Sequence, residues 1–341
     1  MDNFTTAFSP DHGPLERGLA ALLFYTICIF GLLGYTLYVY IVVRYASSFS
    51  NSFYILSLSL AVPDCLTLIA QLVYSIPLLL AGLDSQMMPH WYTLLVGYIA
   101  DGSWFSLSAH MLLIAVNRLI AVTWYEKYAR LFNRRVLMQT IALCYVYGIV
   151  MVSLMYACSC TYAFPVYSWV LDCRRSPTTV HYDCSTFAVR LNFWFSNSIV
   201  IAIIMCYTFT LHRVRSVGKN RPGSSDSSGS DQAQRRRERS LVIQFAAVVF
   251  VLVAYIASFW IVPKLVDQKW IEPKIGTLIM NTFCLLNSSL NPYLYMTFGS
   301  EVRRKLFVPI SPRSRNDNGV QFAKSSSIEA NLLGINWNTI G

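Results

Sequence analysis

The feature that most limits the fold of this chain is a series of seven apolar stretches, each long enough to cross a lipid bilayer as a helix. A hydrocarbon core takes about 20 apolar residues per helical span. Only 13% of the 341 residues are charged, against about 25% in soluble domains. The sequence therefore predicts an all-α membrane protein, a seven-transmembrane helix bundle. Its spans lie near 19–43, 53–80, 92–116, 136–160, 187–211, 241–266 and 275–298.

The basic residues predict the orientation, because cytoplasmic loops of membrane proteins carry an excess of Lys and Arg. With the N-terminus outside, the inner segments hold 20 of the 27 basic residues. The net charge of +10 is then placed at the cytoplasmic face, beside acidic lipid headgroups and protein partners. We therefore expect a multi-pass protein of the plasma membrane that does not bind nucleic acid.

Four segments are expected along the chain. Residues 1–18 are an extracellular tail with a glycosylation sequon at Asn3, and they lack the apolar core of a cleavable signal peptide. The bundle covers 19–299. Residues 300–308 combine apolar and basic side chains as a short in-plane helix requires, and 309–341 are expected to be a disordered cytoplasmic tail.

Polar side chains inside the spans are the candidate functional residues, because such groups are costly in a bilayer and usually face the bundle interior. Asp64 lies in the second span, Asp101 opens the third and Arg118 ends it. The seventh span contributes a polar run at 287–291. His110 has no Cys or His within a helical turn, which favours a core histidine over a metal ligand or general base, and we do not expect an enzyme.

Two of these elements carry a resemblance to a known family. The run from Asn291 through Pro292 to Tyr295 resembles the Asn-Pro-x-x-Tyr element of rhodopsin-like G-protein-coupled receptors, and the Leu-Ala-x-x-Asp run ending at Asp64 resembles their second-helix signature. The resemblance covers about 19–308. It implies a ligand-activated receptor whose partner is a heterotrimeric G protein, with arrestin as a second partner. Pro292 removes a backbone hydrogen bond and bends its helix, and Tyr295 can move between two inner positions, as a switch requires.

The same resemblance implies a polar pocket at Asp64 that holds a sodium ion in many relatives. Asn287, Ser288 and Asn291 would complete it, and oxygen ligands suit a hard cation. The alternative is a hydrated hydrogen-bond network without an ion, because Leu107 stands where relatives supply a hydroxyl.

The triplet Asn117-Arg118-Leu119 resembles the family's Asp-Arg-Tyr, whose Arg contacts the G protein. The alternative is an arginine that merely extends to the membrane surface. Asn117 can hydrogen-bond a guanidinium but cannot neutralise it, and charge-assisted bonds are stronger than neutral ones. Glu238 is therefore the candidate restraint on Arg118, and Tyr207 keeps its place near the inner end of the fifth span.

Several positions depart from the rhodopsin-like pattern. Tyr35 stands where the first helix has Asn, and Thr93 stands where the third helix has a disulfide-forming Cys. The sixth span lacks Cys-Trp-x-Pro, and Ile256 lies at the position expected for the Trp of that motif, the toggle residue. Together with the segment around Arg236-Arg237-Glu238 and Gln244, these departures give the chain a resemblance to the divergent serpentine chemoreceptors of nematodes.

Four cysteines lie at or beyond the outer end of the fourth span, in oxidising space where disulfides persist. A bond from Cys173 to Cys184 is one expected pairing, and Cys158 and Cys160 keep other pairings open.

The outer halves of the third and fifth spans offer candidate ligand contacts, although aromatic residues there also serve core packing. Asp101 needs a cation or a proton at that depth. Amine receptors place their acidic anchor at the position of Ala100, which disfavours an amine. Leu285 occupies the retinal-lysine position, so a retinal cofactor is not expected. The candidates are Tyr98, Asp101, Trp104, Phe105, Asn192 and Trp194.

Two rival functions remain at this point. A transporter or channel predicts internal repeats and a continuous polar line, which the sequence lacks. A decoy or scaffold receptor keeps the fold without G-protein coupling, and Asn117 together with the missing toggle favours it.

Overall fold

The computed structural model describes 13–45, 52–83, 87–158, 160–164, 167, 169–173, 179–219 and 229–307. Contacts divide the chain into one compact unit, Met1–Arg303, and a second unit that begins at Arg304. The described part contains nine helices and two short strands. In chain order the helices are α1 (Pro14–Arg44), α2 (Ser52–Ala81), α3 (His90–Thr123), α4 (Tyr125–Leu131), α5 (Arg134–Ala157), α6 (Thr179–Lys219), α7 (Gly229–Asp267), α8 (Pro273–Phe298) and α9 (Ser300–Phe307).

Within the described part, six helices have spans that are long and apolar enough to cross a membrane: those of α1, α2, α3, α5, α6 and α7. Helix α8 is the seventh long helix and falls short of that apolar composition, since it carries polar residues that include the buried Asn281, Asn287, Ser288 and Asn291. The predicted bundle of seven long helices is therefore confirmed, and a short helix follows it. The polar seventh helix shows that bundle-facing amides replace apolar residues where a span meets protein more than lipid.

A small hairpin interrupts the all-helical pattern. Strand β1 (Cys160–Ala163) pairs antiparallel with β2 (Val170–Cys173), and Cys160 lies opposite Cys173 in the register. We call the end of the bundle that carries this hairpin the hairpin end.

The expected Cys173–Cys184 disulfide is wrong. Cys184, near the start of α6, is bonded to Cys158 at the end of α5, with 5.2 Å between their Cα atoms. Cys160 is also disulfide-bonded. The hairpin decides this arrangement, because its register brings Cys160, and not Cys184, opposite Cys173. The disulfide ties the fourth and fifth long helices together at the hairpin end of the bundle.

Helix α3 runs through the middle of the bundle and contacts α2, α5 and α6, while α8 contacts α1, α2 and α7. Small residues let these helices approach closely, as is usual in membrane bundles. A Cβ added at Gly31 of α1 would lie 2.7 Å from both Leu68 and Ser289. This close approach of α1, α2 and α8 places Asp64 and Asn291 within reach of each other and of α1.

Candidate functional site

The buried carboxylate of Asp64 joins three helices. Its Oδ2 accepts a hydrogen bond from the phenol of Tyr35 in α1 and a second from Asn291 Nδ2 in α8, at 3.0 Å. Ser288 also lies beside it. Asn287 is buried on the same helix, but no hydrogen bond among the described residues joins it to Asp64. The structure thus brings together most, but not all, of the predicted polar pocket.

Tyr35 gives the polar pocket a contact that the sequence pattern had presented only as a loss. The residue is fully buried, and its hydroxyl reaches the carboxylate from a helix position where relatives carry a much shorter amide. A phenol O–H is a donor of ordinary strength, and a bond to an ionised acceptor is stronger than a neutral one. Tyr35 therefore ties α1 to α2 through its side chain.

The residues at this pocket supply few oxygens for a sodium ion. Asp64 Oδ1 has no hydrogen-bond partner among the described residues, and Ser288 adds a hydroxyl. Tyr35 and Asn291 face the carboxylate as donors, and Leu107 is buried without an oxygen to offer. Cations held by oxygen, such as Ca²⁺, take about six to eight ligands, so sodium here would depend on water for most of its shell. The sodium site stays a prediction.

A second constellation lies at the other end of the bundle, around Arg118. Its guanidinium carbon stands 3.7 Å from the centroid of the Phe53 ring, a cation–π contact between α3 and the start of α2. Tyr54, Tyr207 and Tyr295 lie near the guanidinium. Such contacts stabilise a cation by about 0.5–2 kcal/mol, more when it is shielded from water. The arginine therefore lies on the aromatic face of Phe53, with tyrosines of α2, α6 and α8 nearby.

Tyr295 and Arg118 meet through the same ring. Tyr295 packs edge-on against Phe53, with centroids 5.7 Å apart at 90°, and lies 5.6 Å from Tyr38. Tyr207 is buried in the same apolar cluster. The predicted switch residues Arg118, Tyr207 and Tyr295 are therefore brought together, with Phe53 between two of them.

Asn117 does not act on Arg118 in this structure. Its Nδ2 donates to Ser52 Oγ at 3.3 Å and to the Tyr128 hydroxyl at 3.2 Å, and Ser52 and Tyr128 are also hydrogen-bonded to each other. The amide thus connects α3 to the start of α2 and to the short helix α4. An aspartate at this position would have to accept hydrogen bonds from these two hydroxyls, because an ionised carboxylate has no hydrogen to donate.

Phe53 and Tyr128 are functional candidates that sequence reasoning missed. Each lies at a helix start or in a short connecting helix, where apolar periodicity gives no signal. The available signal was chemical: an arginine at a span end, next to Asn and not Asp, needs acceptors or aromatic faces from elsewhere. Aromatic residues at neighbouring helix ends are the first groups to consider in such a case.

Two predicted site residues cannot be placed. Glu238 lies in α7, but its side chain is outside the described residues, so its pairing with Arg118 stays a prediction. Asn3 also lies outside the described residues.

At the hairpin end, Asp101 is the most unusual of the predicted ligand contacts. It is 2% exposed, and neither carboxylate oxygen has a hydrogen-bond partner among the described residues. Phe105 lies one turn further along α3 and is fully packed with α5 and the start of α6. Trp104 instead faces α7, where it meets Tyr255 edge-on at 5.0 Å. Phe105 and Trp104 thus point to different neighbours.

The remaining ligand candidates do not gather around Asp101. The Tyr98 hydroxyl bonds Ser153 on α5 at 2.8 Å, and Asn192 accepts from Ser196 on its own helix at 3.2 Å. Trp194 is 66% exposed, which contradicts its assignment as a pocket residue. The reason is helical geometry, since two residues turn the side chain by about 200°, away from the face of Asn192.

A hydrogen bond and a ring contact stand where the usual disulfide of the third helix is absent. The Tyr74 hydroxyl in α2 donates to Thr93 in α3 at 2.9 Å, and its ring stacks on Trp169 of the hairpin loop, with centroids 5.3 Å apart. The hairpin, α2 and α3 are therefore connected at the position where Thr93 replaces cysteine.

Comparison with known proteins gives one family match. Residues 25–288 match the family model described as serpentine type 7TM GPCR chemoreceptor Srx. The matched segment begins in α1 and ends in α8 at Ser288, just before Asn291. No curated protein matches the chain. The match confirms the predicted likeness to G-protein-coupled receptors and to serpentine chemoreceptors.

Proposed function

Because the chain belongs to the serpentine seven-transmembrane chemoreceptor family Srx, we propose that it is a ligand-activated receptor that signals to a heterotrimeric G protein. The hairpin end would face the outside of the plasma membrane and receive the ligand. The end that carries Arg118 would face the cytoplasm, as the excess of basic residues predicts. The family is one of receptors and not of enzymes.

The observation that carries this proposal is the position of Arg118. A guanidinium at the inner end of the central helix, held on Phe53 beside Tyr207 and Tyr295, is a charged group kept in place by contacts that can exchange. Moving Tyr295 away from Phe53 would free one side of the arginine for an acidic or carbonyl group of a G protein.

The polar pocket at Asp64 supplies the connection between the two ends. Its hydrogen bonds join α1, α2 and α8 at Asn291, the residue immediately before Pro292, where α8 lacks a backbone donor. A ligand shifts such a bundle only by binding one arrangement more tightly than the other. We propose that ligand binding at the hairpin end favours the arrangement in which Tyr295 leaves Phe53.

Further partners follow from the same proposal. Helix α9 carries Arg304 and Lys305 in its last turn, which suits acidic lipid headgroups. Arrestin would be the second protein partner, competing for the cytoplasmic end. A decoy or scaffold receptor is the alternative. The hydrogen bonds of Asn117 to Ser52 and Tyr128 favour it, because they would keep α4 fixed against α2 and α3.

A coupling screen tests the proposal. The receptor would be expressed with each class of G protein, and nucleotide exchange would be measured without ligand and with pooled volatile, lipid, amine and peptide compounds. We expect exchange above background with at least one G protein, and its loss in Arg118→Ala at equal surface expression. No exchange under any stimulus would favour the decoy, and exchange that survives in Arg118→Ala would remove the site from the mechanism.

A further inference from the structure

Helix α2 changes its winding in the half of the bundle nearest the hairpin. Residues Gln71–Ser75 form a five-residue π-helical turn, beginning about 10 Å along the helix from Asp64, at 1.5 Å per residue. Single π-helical turns inside α-helices occur often at functional sites. The turn brings both Gln71 and Ser75 to fully buried positions.

Gln71 faces a second buried amide across the helix interface. Its Nε2 donates to Asn281 Oδ1 in α8 at 2.9 Å. Each amide has one carbonyl oxygen and one NH₂ group, so a single bond between them satisfies half of the pair. If the oxygen and nitrogen of both side-chain amides were exchanged, one carbonyl acceptor and one NH₂ donor would still be left without a partner in the pair.

Three polar atoms at this place have no hydrogen-bond partner among the described residues. They are Gln71 Oε1, Asn281 Nδ2 and Ser75 Oγ, and all three are buried. An unsatisfied buried group costs about 1–3 kcal/mol, and several of them together in a membrane bundle indicate a place where another molecule binds. The set offers both an acceptor and a donor.

The surroundings are apolar and uncharged. Within α2 and α8 the charged residues nearest to the pair are Asp64 and Lys274, each about two helical turns away. Buried apolar residues of α1, α2 and α3 form one cluster around the turn. Tyr74, inside the π-helical turn, stacks on Trp169 and so brings the hairpin loop over this end of α2. A charged ligand would find no opposite charge on these two helices near the pair, whereas a neutral ligand needs none.

We propose that Gln71, Ser75 and Asn281 form a binding site for a small uncharged ligand whose head group both donates and accepts hydrogen bonds, as a carboxamide does, on an apolar body. The ligand's N–H would donate to Gln71 Oε1, and its carbonyl would accept from Asn281 Nδ2. Ser75 would take the remaining donor or lone pair. The inference rests on the proposed receptor function only for its signalling consequence, since binding itself needs no G protein.

The test measures thermal stabilisation of the full chain in lipid nanodiscs by three probes of equal chain length: hexanamide, hexylammonium and hexanoate. A ligand that binds the folded state raises its unfolding temperature in a concentration-dependent way. We expect hexanamide to stabilise the protein and the two charged probes not to do so. Gln71→Met, which keeps length and removes the amide, should weaken hexanamide binding at least tenfold.

Two further variants keep the test decisive. Ser75→Ala is the mildest change and should weaken hexanamide binding severalfold even if Gln71→Met does not fold. The matched control is Asn197→Leu, which removes an amide whose one hydrogen bond among the described residues is to Phe193 O of its own helix, at 2.7 Å. Hexanamide binding should be unchanged in that control.

Several results would overturn the site. One is a failure of hexanamide to stabilise the wild type, which is expected if only water bridges the amides. Another is stabilisation of Gln71→Met and Ser75→Ala by hexanamide to the same extent as the wild type. Stronger stabilisation by hexylammonium that disappears in Asp101→Asn would assign the binding to Asp101. Hexanamide binding with no nucleotide exchange for any G protein would contradict the proposed function and leave this site standing.

Discussion

Replacing Phe53 with leucine should release Arg118 and raise ligand-free signalling. The phenyl ring of Phe53 lies under the guanidinium at 3.7 Å and against the edge of Tyr295 at 5.7 Å. Leucine keeps much of the apolar volume but provides neither a π face for the cation nor an aromatic partner. The cation–π contact stabilises by about 0.5–2 kcal/mol, and the ring pair by about 0.5–1.5 kcal/mol.

Part of this loss is recovered by new packing, so a net shift of about 1–2 kcal/mol is expected between the held and released arrangements. That corresponds to a change of about 5- to 30-fold in their ratio. The assay is nucleotide exchange by the coupled G protein in the absence of ligand, divided by the amount of receptor at the cell surface.

The matched control is Phe24→Leu, the same chemical change at another buried phenylalanine, which lies in a different apolar cluster. It should leave ligand-free exchange near the wild-type level. Equal exchange in wild type and Phe53→Leu, at equal surface expression, would refute the idea that this ring holds the arginine.

Four other predictions concern the stability of the protein and the restraint on Arg118. Tyr35→Phe removes a donor to the buried Asp64 and should destabilise the nanodisc-embedded protein by about 1–3 kcal/mol, whereas Tyr293→Phe, which loses a bond at a more exposed site, should cost less; equal unfolding temperatures would refute this. Cys158→Ser and Cys184→Ser should each lose about 3 kcal/mol, as expected for closing a loop of 26 residues, and the double variant should lose no more; additive losses would contradict the pairing. Hydrogen bonds from Lys274 to Glu272 and Glu16 raise the pKa of that lysine. Because the folded state holds the proton more tightly, this stabilisation is present below the ordinary lysine pKa and is lost as pH rises through the raised value. Wild type and Lys274→Gln should therefore differ in unfolding temperature at pH 8 and converge at higher pH. A difference that stays constant with pH would disprove the linkage. Glu238→Ala should raise ligand-free exchange if Glu238 restrains Arg118, and an unchanged rate at equal surface expression would exclude that role.

The fold could be predicted from the sequence because span length and apolar composition are properties of single segments. The predicted spans and the observed long helices coincide along the chain, and the helices extend several residues beyond them at the expected inner ends of α3 and α6. Hydropathy carries no information about the hairpin, since β1 and β2 are four residues each. The prediction of the disulfide pairing was wrong because the strand register decides which cysteines meet.

The candidate site was predictable where it rests on motif residues and not where it rests on contacts between helices. Asp64 and Asn291 were expected to meet, and they do. The partner of Asp64 on α1 was not foreseen, because a tyrosine in place of Asn was counted as a loss. Phe53 was missed because a single ring at a helix start carries no pattern, although its position beside Arg118 gives it an energetic role.

The missed amide pair has a similar origin. Gln71 and Asn281 are 210 residues apart in sequence, and neither belongs to a motif. Only the packing of α2 on α8 brings them together, and only a count of buried donors and acceptors shows that the pair is incomplete.

The most direct test of the central claim is nucleotide exchange by a purified G protein on receptor reconstituted in lipid vesicles, comparing wild type with Tyr295→Ala. The claim is that Arg118, Tyr207 and Tyr295 pass the signal at the inner helix ends. We predict that Tyr295→Ala reaches the surface, keeps its ligand-induced thermal stabilisation and loses exchange. Full exchange in that variant would show that the Asn291–Tyr295 run only bends the helix, and the proposed mechanism would be wrong.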